Sequence, residues 1–517
     1  MPFLPVKQEP VFDLIKRMTK AEKRNFKLYA TRLDGNQQAK FITLFDVLDA
    51  MDDYDETRVL QRAPIKKEQL PNMKAHLYKH ILVSLRMLGV QHSPEMQLRE
   101  QIDFSKILYD KGLYRQAEKF LERTQEQAAW LEQHSVELDV IEAQRRIETL
   151  SVARGNMATA DLFGKRTLEV CGRIEATNTL FTICLQLYSL YRQLGYARTQ
   201  KDIDLLETYF LPRIEACAGA GLPFTEQLYY QEALAWYYSI RHNFVRSYRH
   251  AGQWIALFDT RPEMKELMYD NFLHGYSRIL EGLFLMRKHK LLNDKIIQFS
   301  YACAELGSLN ENAFIISRTI LYTTLVNIAF IEGDFRKGIA LIPEIESFMK
   351  KYDNQLNTHI KMLMYYKIAC LHFGEEEYAK CIDCLERITD TKDPQIRRDL
   401  QCFAKILHLI ASYEAGIDYN LDYQIRSVYR FLVKMNDLQN VQREMLTFLK
   451  KLNTIYQSDL KEELRVLYER LKPYEEHPYE RRTFYYLDIL SWLESKITGQ
   501  SVGEIVREKF RRESEHS

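Results

Sequence analysis

The sequence is poor in the residues that punctuate or staple a chain. It holds 13 prolines and 19 glycines in 517 residues, too few turn residues for a large β-protein. Eight cysteines over that length are too sparse for a disulfide scaffold, which excludes the small secreted classes. Charge of one sign is also missing: 72 basic residues stand against 71 acidic ones, a formal net charge of +1. No global field steers the chain to nucleic acid or an anionic membrane, so any such binding must come from a local patch. Long hydrophobic runs are scarce. Met1 to Pro10 contains none, so no signal peptide is expected. The most apolar long stretch, Phe314 to Ile331, is interrupted by Arg318 and Asn327 and falls short of the ~20 apolar residues of a membrane span. A buried helix is expected there, with no membrane insertion, and the cytoplasm is the default location.

Motifs that carry chemistry are equally scarce. Gly164-Lys165 is followed by Arg166 where a phosphate loop needs Ser or Thr, and Thr159 stands where its first glycine belongs. Neither a His-Glu-x-x-His zinc helix nor a Gly-x-Ser-x-Gly elbow occurs. The chain is therefore expected to be no enzyme and to use no cofactor. Cys381-Ile382-Asp383-Cys384, with Cys370 and Cys402 nearby, could supply four zinc thiolates. Against this, both cysteines of the pair fall mid-helix, whereas redox pairs cap helix starts. Packing cysteines, small and buried, and no metal are expected.

What the chain has is hydrophobic residues, 46 % of the total, and an abundance of Leu, Glu, Lys, Arg, Gln and Ala, all helix formers. In the N-terminal part, Thr19-Lys20-Ala21-Glu22 reads as a capping box, Thr hydroxyl to Glu amide and Glu carboxylate back to Thr amide. It opens a helix to about Leu33, with further helices expected near 10–18, 37–51 and 70–88, broken at Asp34-Gly35-Asn36 and around Pro64. Lys20, Lys23, Arg24 and Lys27 fall on one stripe of that helix, with Phe26, Tyr29, Ala30 and Leu33 opposite. The stripe suits a phosphate backbone or an acidic partner; the alternative is a plain solvated face.

From about residue 95 a turn signature recurs. Gly112-Leu113-Tyr114-Arg115-Gln116-Ala117, Gly155-Asn156-Met157-Ala158-Thr159-Ala160 and Gly333-Asp334-Phe335-Arg336-Lys337-Gly338 share one pattern. Looser copies begin at His242 and Glu376, and degraded ones fall near Gly195-Tyr196-Ala197 and Lys290-Leu291. The first residue ends a helix in the left-handed conformation that glycine accepts best. The large apolar residue two positions on plugs the gap between paired helices, and the small residue three further lets them approach. Tyr114 to Met157 and Phe335 to Tyr378 are both 43 residues apart. This signature resembles the tetratricopeptide repeat, whose turn has the same Gly-x-aromatic-x-x-Ala logic, although that repeat's usual period is about 34. The run from Met18 to Lys27 also resembles the start of a group of uncharacterised bacterial helical-repeat proteins, a likeness that carries no function with it.

The resemblance implies an all-α fold: a helical cap over 1–92, a curved α-solenoid of tetratricopeptide-like helix pairs over 93–475, and a C-terminal helical cap and tail over 476–517. The last part is expected to hold helices near 459–472, 478–497 and 502–512, the second with an apolar face from Tyr485, Leu487, Leu490 and Leu493. The first helix of each pair lines the concave side of such a solenoid. In that register Tyr229, Glu232, Trp236 and Ser239 face the groove, along with Arg99, Lys106, Tyr109, Glu142, Arg145, Asn327 and Tyr366. Aromatic and charged side chains together suit capture of an extended peptide; the alternative is that these aromatics are core. The function expected is a non-enzymatic scaffold for a protein or peptide partner. Alternatives are a nucleic-acid- or ribosome-associated adaptor using the basic helix, though near-neutral charge makes nucleic acid the less favoured partner, and a regulator responding to a peptide effector.

Overall fold

The structure, a computed structural model, describes residues 9–32, 35–63, 65–90, 93–150, 157–219, 221–306, 310–389, 397–417, 421–435, 438–452, 455–456, 458–481, 483–484 and 488–515. Leu33, Asp34, Pro64, Gly155, Asn156, Tyr485 and Leu487 lie outside them. Among the described residues every regular element is helical. Packing divides the chain into two compact units, 1–171 and 172–517. That division follows contacts and cuts the chain at different places from the cap, repeat and cap scheme.

The first unit begins with helices α1 (Pro10–Arg17), α2 (Lys20–Ala30), α3 (Gly35–Asp49), α4 (Glu56–Arg62) and α5 (Leu70–Gly89). The capping box forms: the Thr19 hydroxyl accepts from the Glu22 amide at 3.2 Å, and the Thr19 amide donates to the Glu22 carboxylate at 2.7 Å. Phe12, Ile15, Phe26, Phe45, Leu77 and Ile81 are buried together beneath these helices. Then come α6 (Pro94–Asp110), α7 (Tyr114–Trp130) and α8 (His134–Leu150), which pack on one another. The next element, α9 (Met157–Leu194), is a single long helix where the repeat pattern calls for two. No glycine or proline stop stands near its middle other than Gly164 and Gly172, and an isolated helical glycine costs only about 1 kcal/mol.

The second unit continues with α10 (Gln200–Leu205), a π-helical turn over Leu206–Phe210, α11 (Leu211–Ala216), α12 (Phe224–Ile240), α13 (Phe244–Thr260), α14 (Met264–Leu267), α15 (Tyr269–Leu285), α16 (His289–Leu306) and α17 (Glu311–Glu332). It goes on through α18 (Phe335–Ile339), α19 (Ile342–Lys351), α20 (Thr358–Gly374), α21 (Tyr378–Thr389), α22 (Arg398–Glu414), α23 (Leu421–Lys434), α24 (Asn440–Lys451) and α25 (Leu460–Leu471). The last two helices are α26 (Ile489–Thr498) and α27 (Val502–Glu515). The helix expected over 478–497 is thus helical only in its second half among the described residues. Pro478 lies in a turn, and the helix proper starts where the Asp488 carboxylate caps the Ser491 amide at 2.9 Å. The apolar α17 is the one described helix long and apolar enough to cross a membrane by length and composition. Ile320, Val326, Ile328 and Ala329 on it are buried in the protein's own core.

Packing in this unit follows the chain. Helix α12 packs on α13 and α13 on α15; α15 packs on α16 and α17; α17 packs on α18 and α20; α20 packs on α21 and α22. The turns between paired helices share one geometry. Gly112, His242, Gly333 and Glu376, the first residues of four signature copies, all have φ between 60 and 74°. The residue after each donates back over the helix end, Asn243 to the Tyr238 carbonyl at 2.9 Å and Glu377 to the His372 carbonyl at 2.8 Å, for example, which satisfies carbonyls the helix leaves open. The small positions Ala117, Ser247, Gly338 and Cys381 are all buried. Gly195 and Arg287 have the same left-handed φ, 72 and 54°, so the copy placed near Lys290 starts instead at Arg287. The C-terminal residues fold back on this unit's earlier helices. Arg481 donates to the His242 carbonyl at 2.8 Å, Gln439 to the Arg198 carbonyl at 3.0 Å, and Arg287 pairs with Glu513 at 2.9 Å.

Candidate functional site

Several helices of the second unit carry polar and aromatic stripes that pack near one another. On α15, Asn271, His274, Arg278 and Glu281 follow helical spacing along one face. Tyr229, Glu232 and Trp236 do the same on α12. Asn327 comes from α17, His359 and Lys367 from α20, Tyr188 and Tyr191 from α9, and Arg397 and Asp399 from the start of α22.

At one end the stripes meet as a packed cluster. Trp236 is buried, its ring 5.3 Å from that of Tyr188 and 5.0 Å from that of Tyr191. The Arg278 guanidinium stacks on it at 4.1 Å and pairs with Glu281, whose carboxylate also accepts from the Tyr196 hydroxyl at 2.8 Å. Burial pushes the Tyr191 phenol up to about 12, with Glu281 adding to the shift. Lys367 donates to the Asn327 side chain at 2.5 Å and lies 5.5 and 5.7 Å from the rings of Phe284 and Phe330. Burial lowers its pKa to about 8. Arg397, in left-handed conformation, makes two 2.9 Å bonds to Asp399. The pair is fully buried. His359 is pressed down to about 3, by burial first and by Arg397 second, so it stays neutral and can accept from the Arg397 guanidinium at 3.4 Å.

The other end is open. Phe181 is exposed and its ring meets that of half-buried Tyr229 at 5.4 Å. Asn271 donates to Glu232 at 3.4 Å. Burial raises the Glu232 carboxyl to about 7, against hydrogen bonding from Trp236 and with Asp270 adding to the rise. His274 is exposed to solvent, yet the surrounding protein lowers its pKa chiefly by desolvation.

The expected groove residues therefore divide. Tyr229 and Glu232 face this accessible end. Trp236, Ser239, Asn327 and Tyr366 are buried, which corrects the expectation that they line an open groove. The stripes of α9, α12 and α15 meet each other directly, so aromatic bulk fills the space where a groove was expected, and Tyr366 belongs to the core around α20 and α22. Arg99, Lys106, Tyr109 and Arg145 lie in the first unit. Arg99 is exposed and pairs with Glu95 at 3.3 Å; Lys106 and Arg145 are exposed; Tyr109 is half-buried with its ring 5.5 Å from Tyr114. Arg278, Glu281 and Lys367 were missed. The signal was present, charged residues at helical spacing inside apolar helices, but the turn after α15 carries Arg287 in place of glycine and hid that helix's place in the pattern.

Of the basic stripe, Lys23 pairs with Asp49 at 2.6 Å and Lys27 with Asp46 at 2.7 Å, while Lys20 and Arg24 are exposed. The cysteines Cys381, Cys384 and Cys402 are buried. Burial pushes the thiols of Cys384 and Cys370 up to about 11 and 12 and that of Cys381 higher still, the opposite of what thiolate ligands need. Among the described residues no three His, Cys, Asp or Glu side chains form a metal set. Compared with family models, with curated proteins and with solved structures, the chain matches none.

Proposed function

We propose that the chain is a non-enzymatic protein- or peptide-binding scaffold of the cytoplasm, built in its second unit as a curved solenoid of tetratricopeptide-like helix pairs. The observation that carries this is the recurrence of one left-handed turn, from Gly195 through His242, Arg287, Gly333 and Glu376 to Gly416, joined to a packing order in which each helix touches its partner and the next pair. Repeats of this kind stack into surfaces suited to extended partners. The partner-binding face is the accessible end of the inner stripes. There Phe181 and Tyr229 offer rings and Glu232, Asp270 and His274 offer polar contacts, a composition that suits a peptide with basic residues. The adaptor reading through the basic helix is less well supported, because two of its four cations already have carboxylate partners.

The test is capture from lysate of the native organism, analysed by mass spectrometry, with the wild-type chain and a Phe181→Ala/Tyr229→Ala variant. A partner retained by the wild type and lost, by ten-fold or more, from a variant with unchanged circular dichroism is the expected result. Equal retention by both would remove this face from consideration. Capture of nucleic acid that vanishes steeply with salt would favour the adaptor instead.

A further inference from the structure

On several exposed helix faces of this chain a basic residue meets an acid about one turn away: Arg99 with Glu95, Arg465 with Glu462, Arg512 with Glu508. Helix α23 departs from that pattern. Tyr423, Arg426, Arg430 and Lys434 recur at steps of three, four and four, and all four are exposed. That spacing sets them on one stripe, flanked by exposed Tyr429 and Val433. Tyr423 keeps 65 % of its surface in solvent. The one acid on the helix, Asp422, stands four residues before Arg426, the spacing of a helical ion pair. The Arg426 Nε nevertheless donates to the Asp422 backbone carbonyl at 3.2 Å, and the Arg430 Nε to the Arg426 carbonyl at 3.3 Å. Among the described residues none of the three cations has a carboxylate partner.

The opposite face of α23 holds Ile425, Val428 and Leu432, all buried, so the basic stripe is fixed outward. Helix α24 packs on α23 and adds exposed Arg443 and Lys450, while its Glu444 is taken by Arg470 at 3.2 Å. A local row of cations on a chain of near-neutral charge matches an anionic partner. Cations one turn apart, about 6 Å along the axis, suit a line of phosphates. Exposed tyrosines beside them suit bases, which stack on aromatic rings whatever the sequence. A membrane surface would need an apolar stripe to bury in lipid, and α23 has its apolar stripe in the protein core.

We propose that the exposed face of α23, extended by α24, binds single-stranded nucleic acid without sequence preference. Arg426, Arg430 and Lys434 follow the phosphates, and Tyr423 and Tyr429 stack on bases. The surface shares no residue with the Phe181–Tyr229 face or with the basic helix α2, so it does not rest on the scaffold reading.

The test titrates the purified full chain into fluorescein-labelled oligouridine and oligothymidine, read by anisotropy between about 50 and about 200 mM salt. Saturable binding that weakens roughly twenty-fold over that range is expected, from three neutralised phosphates at a slope of about −0.7 each. Arg426→Gln/Arg430→Gln should weaken binding ten-fold or more at the lower salt and cut the slope to about a third. Tyr423→Ala should weaken it several-fold with the slope unchanged. These positions are exposed, and circular dichroism checks that the variants keep the wild-type helix content; Lys434→Gln repeats the comparison from the other end of the helix. Absence of binding, or binding that survives these variants and is lost in Lys20→Gln/Arg24→Gln, overturns the proposal. Equal displacement of the strand by polyglutamate overturns it too, as does binding to vesicles of anionic lipid while the oligonucleotides stay free.

Discussion

Trp236 is a core residue by its surroundings. Two tyrosine rings and a guanidinium enclose it, and removing it would leave a hole lined by groups that cannot collapse inward. Trp236→Ala is expected to cost about 3–5 kcal/mol, read by denaturant unfolding; a loss below about 1 kcal/mol would show that the ring contributes little packing. Four positions along the chain, Glu232 behaves differently. Its carboxyl is raised to about 7 from an ordinary 4.5, so the folded state holds its proton more tightly than the unfolded state does. That contribution to stability is complete below pH 4.5 and is lost as pH rises through about 7. Glu232→Gln, which cannot ionise, should remove up to about 3 kcal/mol of pH dependence over that window. Unfolding curves at pH 5 and pH 8 check this, and an unchanged slope between them would mean the carboxyl ionises normally. Both residues were legible as members of one helical stripe. Whether the stripe met solvent or protein was not, because that depends on how far the neighbouring helices curl towards it.

At the scale of the element, the turns were the most legible feature. A residue with positive φ, a large plug and a small contact residue are local demands, and they stand in the chain within six positions. The copy at Arg287 was harder to read because a left-handed backbone tolerates arginine at a cost of roughly 1–2 kcal/mol and leaves no glycine to see. Tertiary demands separate one turn from another. Gly333 has φ 65°, and a Cβ there would lie 2.8 Å from the Arg507 amide nitrogen and 2.9 Å from the Gly503 carbonyl, both on α27. Gly416 has φ 68° with nothing near its missing Cβ. Gly416→Ala should therefore cost only the backbone term, roughly 1–2 kcal/mol, and Gly333→Ala distinctly more, since backbone cannot step aside as a flexible side chain can. Equal losses in thermal melts of the two variants would show that α27 does not approach this turn so closely. Cys381 occupies the small position of its own turn and is fully buried. Cys381→Ala should keep the fold at about 1 kcal/mol, with elemental analysis of the purified protein showing no stoichiometric zinc; zinc in equal amount would refute the packing role.

For the whole molecule the two units have separate cores, one under α1 to α5 and others along the second unit. Helix α27 is tied to the second by buried Val502 and Ile505, by the ion pair of Lys509 with Glu494 at 3.0 Å and by the Phe510 ring on His289. A chain ending at Gly499 should melt lower by roughly 5 °C or more in the second unit's transition, with the first unit's transition unmoved in the same calorimetric scan. An unshifted scan would make α27 an appendage. The sequence by itself determined that the chain is helical and where most of its helix-pair turns fall, because composition, capping and left-handed turns act through neighbours in the chain. Only the tertiary structure decided that stripes of α9, α12 and α15 close on one another, that Arg278 seats on Trp236, and that the C-terminal residues return to His242, Arg287 and Gly333. Each of those contacts joins residues tens to hundreds of positions apart, which no local pattern encodes.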